Sequence, residues 1–162
     1  MSEALAPPFL VAALLVCVAG VVKLRSPHRA AAALQTSPWA IRGLAVGEVS
    51  LGAACALAPT RPLAVALAAV YGLFSLLAVV LMRRGVPCGC FGDNDFPVSL
   101  AHVTASELLA ALALGAALTG PRGLEWALDQ PAALLLGIAG AVYATVLVYT
   151  RLPVAWAAWS GE

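Results

Sequence analysis

The 162-residue chain is 62% hydrophobic and 10% charged, and its formal net charge is +1 at pH 7. A soluble domain has about 45–50% apolar and about 25% charged residues, so a soluble globule of this composition would expose large apolar patches. Disorder, a collagen-like fibre and a disulfide-stapled miniprotein are excluded as well. The small net charge does not indicate the basic surface of a nucleic-acid-binding protein. The composition favours a protein that crosses a membrane several times.

Five apolar segments have, or nearly have, the length of about 20 residues that a helix needs to cross the hydrocarbon core. Lipid offers no water to the backbone, so each segment is predicted to be an α-helix and not a strand. The five predicted helices cover residues 4–22, 39–57, 62–82, 100–118 and 131–149. The sequence therefore predicts an all-α, polytopic membrane helix bundle that forms a single transmembrane domain over residues 1–162.

The segments between the predicted helices carry turn and cap signals. Ser26 followed by Pro27 is typical of a helix start and predicts a short interfacial helix over residues 27–35. The Pro-Thr-Arg-Pro run at 59–62 is so short that the second and third helices are expected to be antiparallel neighbours. Residues 120–130 are expected to form an outer loop, with Trp126 as an interfacial anchor.

The order of charges predicts the orientation of the bundle. Lys23 and Arg25 follow the first apolar segment instead of preceding it, which distinguishes that segment from a signal peptide. An N-out, C-in path leaves only Arg61 and Arg122 of the nine Lys and Arg residues outside. The loop at residues 83–99 is then cytoplasmic, and the chain is expected to be a multi-pass protein of the plasma or inner membrane.

The densest polar cluster is Cys88-Gly89-Cys90 with the residues that follow it. A disulfide between these two thiols requires a tight bend, which Gly89 permits, and the bridge would be strained. Strain raises the reduction potential, so such a pair suits exchange and electron transfer better than cross-linking. The alternative that these are two unpaired loop cysteines stays open.

A metal site in the same loop is a weaker interpretation. Asp93, Asp95 or His102 would have to complete it. The Cys-x-Cys spacing differs from the usual Cys-x2-Cys spacing of zinc sites, and no matching second pair follows. We therefore predict no metal site.

Ionisable side chains inside the predicted helices are the next candidates. Burial of the Glu48 carboxylate costs several kcal/mol unless it is paired or protonated, which makes it a candidate functional residue by default. Lys23 lies on the same side of the membrane and either pairs with it or extends to the headgroups. Glu107 is expected at a comparable depth, so three ionisable groups converge in this interpretation, with His102 either joining them or marking the interface.

The two remaining cysteines, Cys17 and Cys55, fall within the first and second predicted helices. Their simplest role is that of small buried hydrophobic residues. Cys17 lies on the same side as the loop and is the candidate to resolve a disulfide formed there, whereas Cys55 lies toward the outer side.

Three stretches together resemble a known family: the run at 20–27 that contains Lys23, then Glu48 with Gly52, and then Pro-Cys-Gly-Cys-Phe-Gly at 87–92. Over about the first 120 residues the chain is similar to the MauE family within the wider DoxX-like membrane proteins. The resemblance implies a four-helix core, here with a fifth helix appended, and a role in redox-linked maturation of exported proteins beside a thioredoxin-like partner.

The resemblance also assigns residues. It implies that Cys88 and Cys90 are the redox pair and that Lys23 and Glu48 are a polar pair in the bundle. Helix four of the family often opens with Arg-Asn, whereas residues 104–107 here are Thr-Ala-Ser-Glu, so Glu107 is peculiar to this chain. MauE is associated with methylamine utilisation, but the resemblance does not imply that pathway for this chain. The analogy leaves a quinone open as a cofactor, although no sequence feature requires one.

Three functions follow for the lipid-embedded chain. The first is a thiol–disulfide oxidoreductase or maturation factor that acts on a thioredoxin-like protein or an exported Cys-containing substrate through Cys88 and Cys90. The second is a non-catalytic subunit or assembly factor of a larger complex. The third is a small-molecule or ion transporter. Four glycines in the predicted helices, Gly43, Gly47, Gly137 and Gly140, permit close helix packing. Such packing occurs either within one chain or in a homo- or hetero-oligomer.

Overall fold

The computed structural model describes residues 2–86 and 98–160, and seven α-helices account for nearly all of that part of the chain. Its fold is an all-α bundle, with no strand among these residues. The helices in chain order are α1 (Ser2–Arg25), α2 (Pro27–Ala33), α3 (Pro38–Leu57), α4 (Arg61–Arg84), α5 (Leu100–Thr119), α6 (Leu124–Leu128) and α7 (Ala132–Ser160).

Four helices, α1, α3, α4 and α5, are long and apolar enough to cross a membrane. At about 1.5 Å per residue, their 20 to 24 residues extend over about 30–36 Å, which matches a hydrocarbon core of about 30 Å. The fifth predicted segment lies in α7, whose described apolar stretch, Ala132–Val148, is shorter. The crossing of the membrane by α7 stays a prediction.

Local sequence signals explain where the helices begin and end. Proline occupies the first turns of α2, α3 and α4, where its missing N–H is not needed. The Ser37 hydroxyl accepts a hydrogen bond from the Ala40 N–H at 3.2 Å, and Thr60 Oγ1 accepts one from the Leu63 N–H at 3.4 Å. Ser26 precedes α2 as predicted, but its side chain makes no cap bond. Gly85 ends α4 in the left-handed region, at φ 64°.

The bundle consists of two tightly packed helix pairs. α1 packs along α3, and α4 packs along α5, whereas contacts between the pairs are less extensive. The pairs share one apolar core that contains Phe9, Leu10 and Leu67. Across this junction the Tyr71 hydroxyl donates a hydrogen bond to the Ala12 carbonyl oxygen at 2.7 Å. We call the junction between the two pairs the seam.

Two glycines allow α1 and α3 to pack closely as antiparallel neighbours. A Cβ atom at Gly20 would lie 2.7 Å from the Ala45 carbonyl oxygen, and one at Gly52 would lie 2.5 Å from the Ala13 carbonyl oxygen. Small residues at such positions let helix backbones approach within a membrane. The four glycines that the sequence suggested for close packing differ: a Cβ at Gly43, Gly47, Gly137 or Gly140 meets nothing within 4 Å.

The shorter helices cover the two ends of the bundle. α2 ends two residues before the predicted limit of 35, and its Ala30 and Ala31 pack with Ile41 of α3. The predicted outer loop contains a short helix, α6, that the sequence did not predict. Its Trp126 is half-buried against the shared core, and Gly123 lies close to the Ala56 carbonyl oxygen at the end of α3.

Candidate functional site

A buried ion pair joins the two helices of the first pair. Lys23 Nζ, near the end of α1, lies 2.5 Å from Oε1 of Glu48, which is ten residues after Pro38 and nine before Leu57 in α3. The side chains are only 4% and 2% exposed. Glu48 is therefore in the middle of a membrane-length helix, and its charge is compensated by a cation from the neighbouring helix.

The direction of Lys23 follows from helix geometry. Side chains of an α-helix tilt toward its N-terminus, so Lys23, although close to the end of α1, extends back into the bundle toward Glu48. Gly20, one turn earlier on α1, lies against Ala45 and the Cβ of Glu48, which brings the two backbones within reach of this pair. Of the two roles that the sequence left open for Lys23, the structure shows pairing, and the buried ammonium does not extend to a headgroup.

An aromatic ring completes the environment of the ammonium. Lys23 Nζ lies 5.0 Å from the centroid of the Phe74 ring on α4, within the range of a cation–π interaction. Phe74 in turn contacts Tyr71 edge to face, with ring centroids 5.8 Å apart. Phe74 thus links the Lys23–Glu48 pair to the second helix pair across the seam. The sequence analysis did not select Phe74, because an aromatic residue in an apolar helix carries no signal of its own.

The second helix pair has its own polar contact. The buried Ser75 hydroxyl of α4 donates a hydrogen bond to Oε1 of Glu107 on α5 at 3.2 Å. Glu107 itself is exposed on the outer surface of α5. The three ionisable residues therefore divide: Lys23 and Glu48 meet between α1 and α3, whereas the contact of Glu107 is with Ser75, a residue that the sequence analysis missed.

His102 contributes to the start of α5. Its Nδ1 atom accepts a hydrogen bond from the Ser99 N–H at 3.2 Å and lies 3.0 Å from the Ser99 hydroxyl oxygen. These contacts satisfy a backbone donor at the helix N-terminus, as in a capping box. Among the residues that the structure describes, no three His, Cys, Asp or Glu side chains gather in a way that would hold a metal ion.

The cysteines differ in what the structure shows of them. Cys17 is half-buried against Gly52, and its Sγ donates to the Val49 carbonyl oxygen at 3.6 Å. Cys55 is buried, and its Sγ donates to the Leu63 carbonyl oxygen at 3.5 Å. Cys88 and Cys90, with Asp93 and Asp95, lie outside the described residues. The resolving role of Cys17 stays a prediction.

The base of the Cys-Gly-Cys loop is nevertheless described. The Val98 N–H donates to the Val86 carbonyl oxygen at 3.4 Å, so the chain leaves α4 and returns to α5 at one place. Val98 is buried in a small apolar cluster with Leu81 and Val103, against which Leu34, just after α2, also packs. Both ends of the loop are therefore at the end of the bundle where α1 meets α2, the end nearer to Lys23.

The fold and the ion pair define the class of protein: a membrane protein built as an all-α polytopic bundle with a paired carboxylate inside its spanning helices. The comparison with family models identifies the family, since the model described as methylamine utilisation protein MauE matches residues 2–120. The chain therefore belongs to the MauE family of membrane proteins. Neither a curated protein nor a solved structure matches the chain.

The family match ends just after α5. It includes the four membrane-length helices and both polar contacts of the bundle, whereas α6 and α7 lie beyond it. α7 packs mainly against α1. The matched region is therefore the four-helix core, and α7 is an addition on its outside.

Proposed function

We propose that this chain exchanges thiols and disulfides at the membrane and thereby assists the maturation of exported proteins. The supporting observation is the Cys88-Gly89-Cys90 sequence within the MauE match, in a loop whose two ends are held together by the Val98 to Val86 hydrogen bond. The residues that flank the loop are therefore adjacent, at the end of α4 and just before the start of α5. The protein partner would be a thioredoxin-like protein or an exported Cys-containing substrate. The chain itself would act in the plasma or inner membrane.

The exchange step conserves electrons between the two proteins. One loop thiolate attacks a sulfur of the partner's disulfide, forms a mixed disulfide and releases one partner thiolate. The second loop thiolate attacks the mixed disulfide, which releases the other partner thiolate and leaves Cys88 and Cys90 joined. The loop dithiol loses two electrons and the partner disulfide gains them. The reverse sequence oxidises a partner dithiol, and a quinone is then one candidate for the carrier that reoxidises the loop.

Trapping the mixed disulfide tests this proposal. In a Cys17→Ala and Cys55→Ala background, Cys90→Ser removes the resolving thiol, so a Cys88-linked partner should accumulate and appear on a non-reducing gel as a band that a reductant abolishes. The matched control is Cys88→Ser with Cys90→Ser in the same background, and it should show no such band. If neither the Cys90→Ser variant nor this control shows the band, and the control still supports maturation of the exported protein, the exchange mechanism is wrong.

The side of the membrane that carries the loop is a separate prediction. In the same background, which retains only the loop thiols, a membrane-impermeant maleimide should label intact inverted vesicles and should leave right-side-out vesicles unlabelled until they are permeabilised. That result is expected because seven basic residues then lie on the cytoplasmic side. Labelling of right-side-out vesicles would reverse the N-out orientation and would place Cys88 and Cys90 beside exported substrates directly.

A second candidate function, that of a non-catalytic subunit, has one observation in its favour. Gly43 and Gly47 form a Gly-x3-Gly pattern on α3, are exposed, and have free space where a Cβ would be. Such a surface allows close approach of a helix from another chain. If the double variant Cys88→Ser with Cys90→Ser assembles and functions normally, this candidate replaces the oxidoreductase.

A further inference from the structure

One oxygen of the buried ion pair lacks a hydrogen bond. Glu48 Oε1 accepts from Lys23 Nζ, whereas Oε2 is fully buried and has no hydrogen-bond partner among the residues that the structure describes. A carboxylate can accept about four hydrogen bonds, and buried polar atoms are nearly always paired. An acceptor left open beside a cation in the middle of a spanning helix therefore points to a ligand.

The packing around Glu48 limits where that ligand lies. Between α1 and α3 there is no room, because even a methyl group at Gly20 would lie 2.7 Å from a backbone oxygen of α3. α3 contacts α4 much less extensively than it contacts α1. Phe74 of α4 lies next to Lys23 from that side. Of these two interfaces the seam is the less tightly packed, so it is the side on which we place a group bound to Oε2.

Water from the aqueous phase does not reach this place freely. The Lys23 and Glu48 side chains are both buried, and the apolar contacts of α2 with Ile41 and with the ends of α4 and α5 cover that end of the bundle. Any hydrogen-bond donor at Oε2 is therefore a bound group rather than bulk solvent.

Charge narrows the chemistry of the ligand. Lys23 already neutralises Glu48, so a second cation would be repelled by the ammonium at short range in a medium of low dielectric constant. An anion would be repelled by the negatively charged Oε2 atom itself. A neutral molecule whose O–H group donates to Oε2 avoids both costs, and its hydroxyl oxygen remains free to accept from Lys23, which has further donor hydrogens.

We propose that Glu48 Oε2 accepts a hydrogen bond from a neutral hydroxyl group bound at the seam between α1, α3 and α4. A single water molecule and the hydroxyl of an uncharged, membrane-soluble amphiphile offer the same chemistry. The site uses only described residues of the bundle and does not depend on exchange by Cys88 and Cys90.

Difference infrared spectroscopy on the full chain in phosphatidylcholine nanodiscs, whose lipid carries no hydroxyl group, tests for water. The variant Glu48→Gln retains the shape of the side chain and replaces one acceptor oxygen with an NH₂ donor. A bound water should give an O–D stretching band that is present in the wild type, moves when D₂¹⁶O is replaced by D₂¹⁸O, and is lost in Glu48→Gln. The Lys23 N–D band does not move between these two solvents, which separates the two donors.

The second arm adds 4-pentylphenol as the probe, with 4-pentylanisole as the control that lacks the O–H group. An amphiphile site should bind the phenol and not the anisole, shift the carboxylate stretch of ¹³C-glutamate-labelled protein, and bind at least about tenfold more weakly in Glu48→Gln because the acceptor is lost. Glu107→Gln, at an exposed carboxylate, should retain both responses. Absence of the water band together with equal responses to phenol and anisole in the wild type overturns the proposal, even if Glu48→Gln fails to fold.

The double variant Cys88→Ser with Cys90→Ser separates this site from the proposed function. It should retain the water band or the phenol response unchanged, because the site is built from residues of α1, α3 and α4 and the proposed hydrogen bond uses neither loop thiol. If Cys90→Ser traps no partner while the water band or the phenol response is intact, only the exchange mechanism is contradicted. Loss of the response in the wild type, with trapping intact, would contradict only the hydroxyl site.

Discussion

Replacing Lys23 with Met should lower the free energy of unfolding by about 3–5 kcal/mol, the usual cost of removing one partner from a buried ion pair. Methionine is similar in length and fills the space under Phe74, so the loss is electrostatic rather than a loss of volume. The Glu48 carboxylate would be left in the middle of α3 without its cation. Reversible unfolding by SDS titration in mixed micelles, followed by circular dichroism, measures the change.

Two further variants make this experiment decisive. Arg25→Met removes a basic residue from the same end of α1, but Arg25 is exposed, so its substitution should change stability by no more than about 0.5 kcal/mol. The double variant Lys23→Met with Glu48→Met buries no charge and should recover most of the loss. If Lys23→Met and Arg25→Met have equal effects, or if the double variant is as unstable as the single one, the pair is not desolvated as the structure shows.

The helices were predictable because lipid imposes a single solution on an apolar segment. Every backbone N–H and C=O in the hydrocarbon core must be paired within the segment, so length and apolarity sufficed to locate α1, α3, α4 and α5. Proline and a cap residue then mark the beginnings of α3 and α4. α6 was missed because Leu124–Leu128 is too short to show any periodic pattern.

The faces of the helices were much less predictable than their existence. In a soluble protein the apolar stripe of a helix indicates its buried side, but a spanning helix is apolar all round and loses that signal. Only a residue whose burial costs much free energy then indicates how a helix is rotated about its axis. Glu48 must face a partner, and Lys23 is the cation within reach. Phe74 and Ser75 carry no such cost, so neither the place of Phe74 at the seam nor the contact of Ser75 with Glu107 could be predicted.

The glycines illustrate the same difficulty. Gly43 and Gly47 match a known packing pattern, yet they are exposed, while Gly20 and Gly52 lie at the closest approach of α1 and α3. Spacing alone does not distinguish the two sets, because a small residue permits contact on whichever side it faces. What determines the side is the rotation of α3, and the Lys23–Glu48 pair fixes that rotation.

This arrangement predicts opposite results for two chemically identical substitutions on α3. Gly52→Ala should destabilise the bundle by about 1–3 kcal/mol, because the added methyl group would lie 2.5 Å from both the Ala13 carbonyl oxygen and Cys17 Sγ. Gly47→Ala adds the same group where nothing lies within 4 Å, and should stabilise the helix by about 0.5–1 kcal/mol. The same SDS titration of the two variants measures both changes, and equal effects would contradict the close approach at Gly52.

A second substitution identifies which contact at Gly52 matters more. Cys17→Ala removes the sulfur but leaves the Ala13 carbonyl oxygen, which belongs to the backbone of α1 and cannot move without the helix. Gly52→Ala combined with Cys17→Ala should therefore recover only part of the lost stability. The remaining separation of α1 from α3 should also lengthen the Lys23–Glu48 contact, since both lie at the same helix interface. Complete recovery would mean that the sulfur, and not the approach of the two backbones, excludes a side chain at position 52.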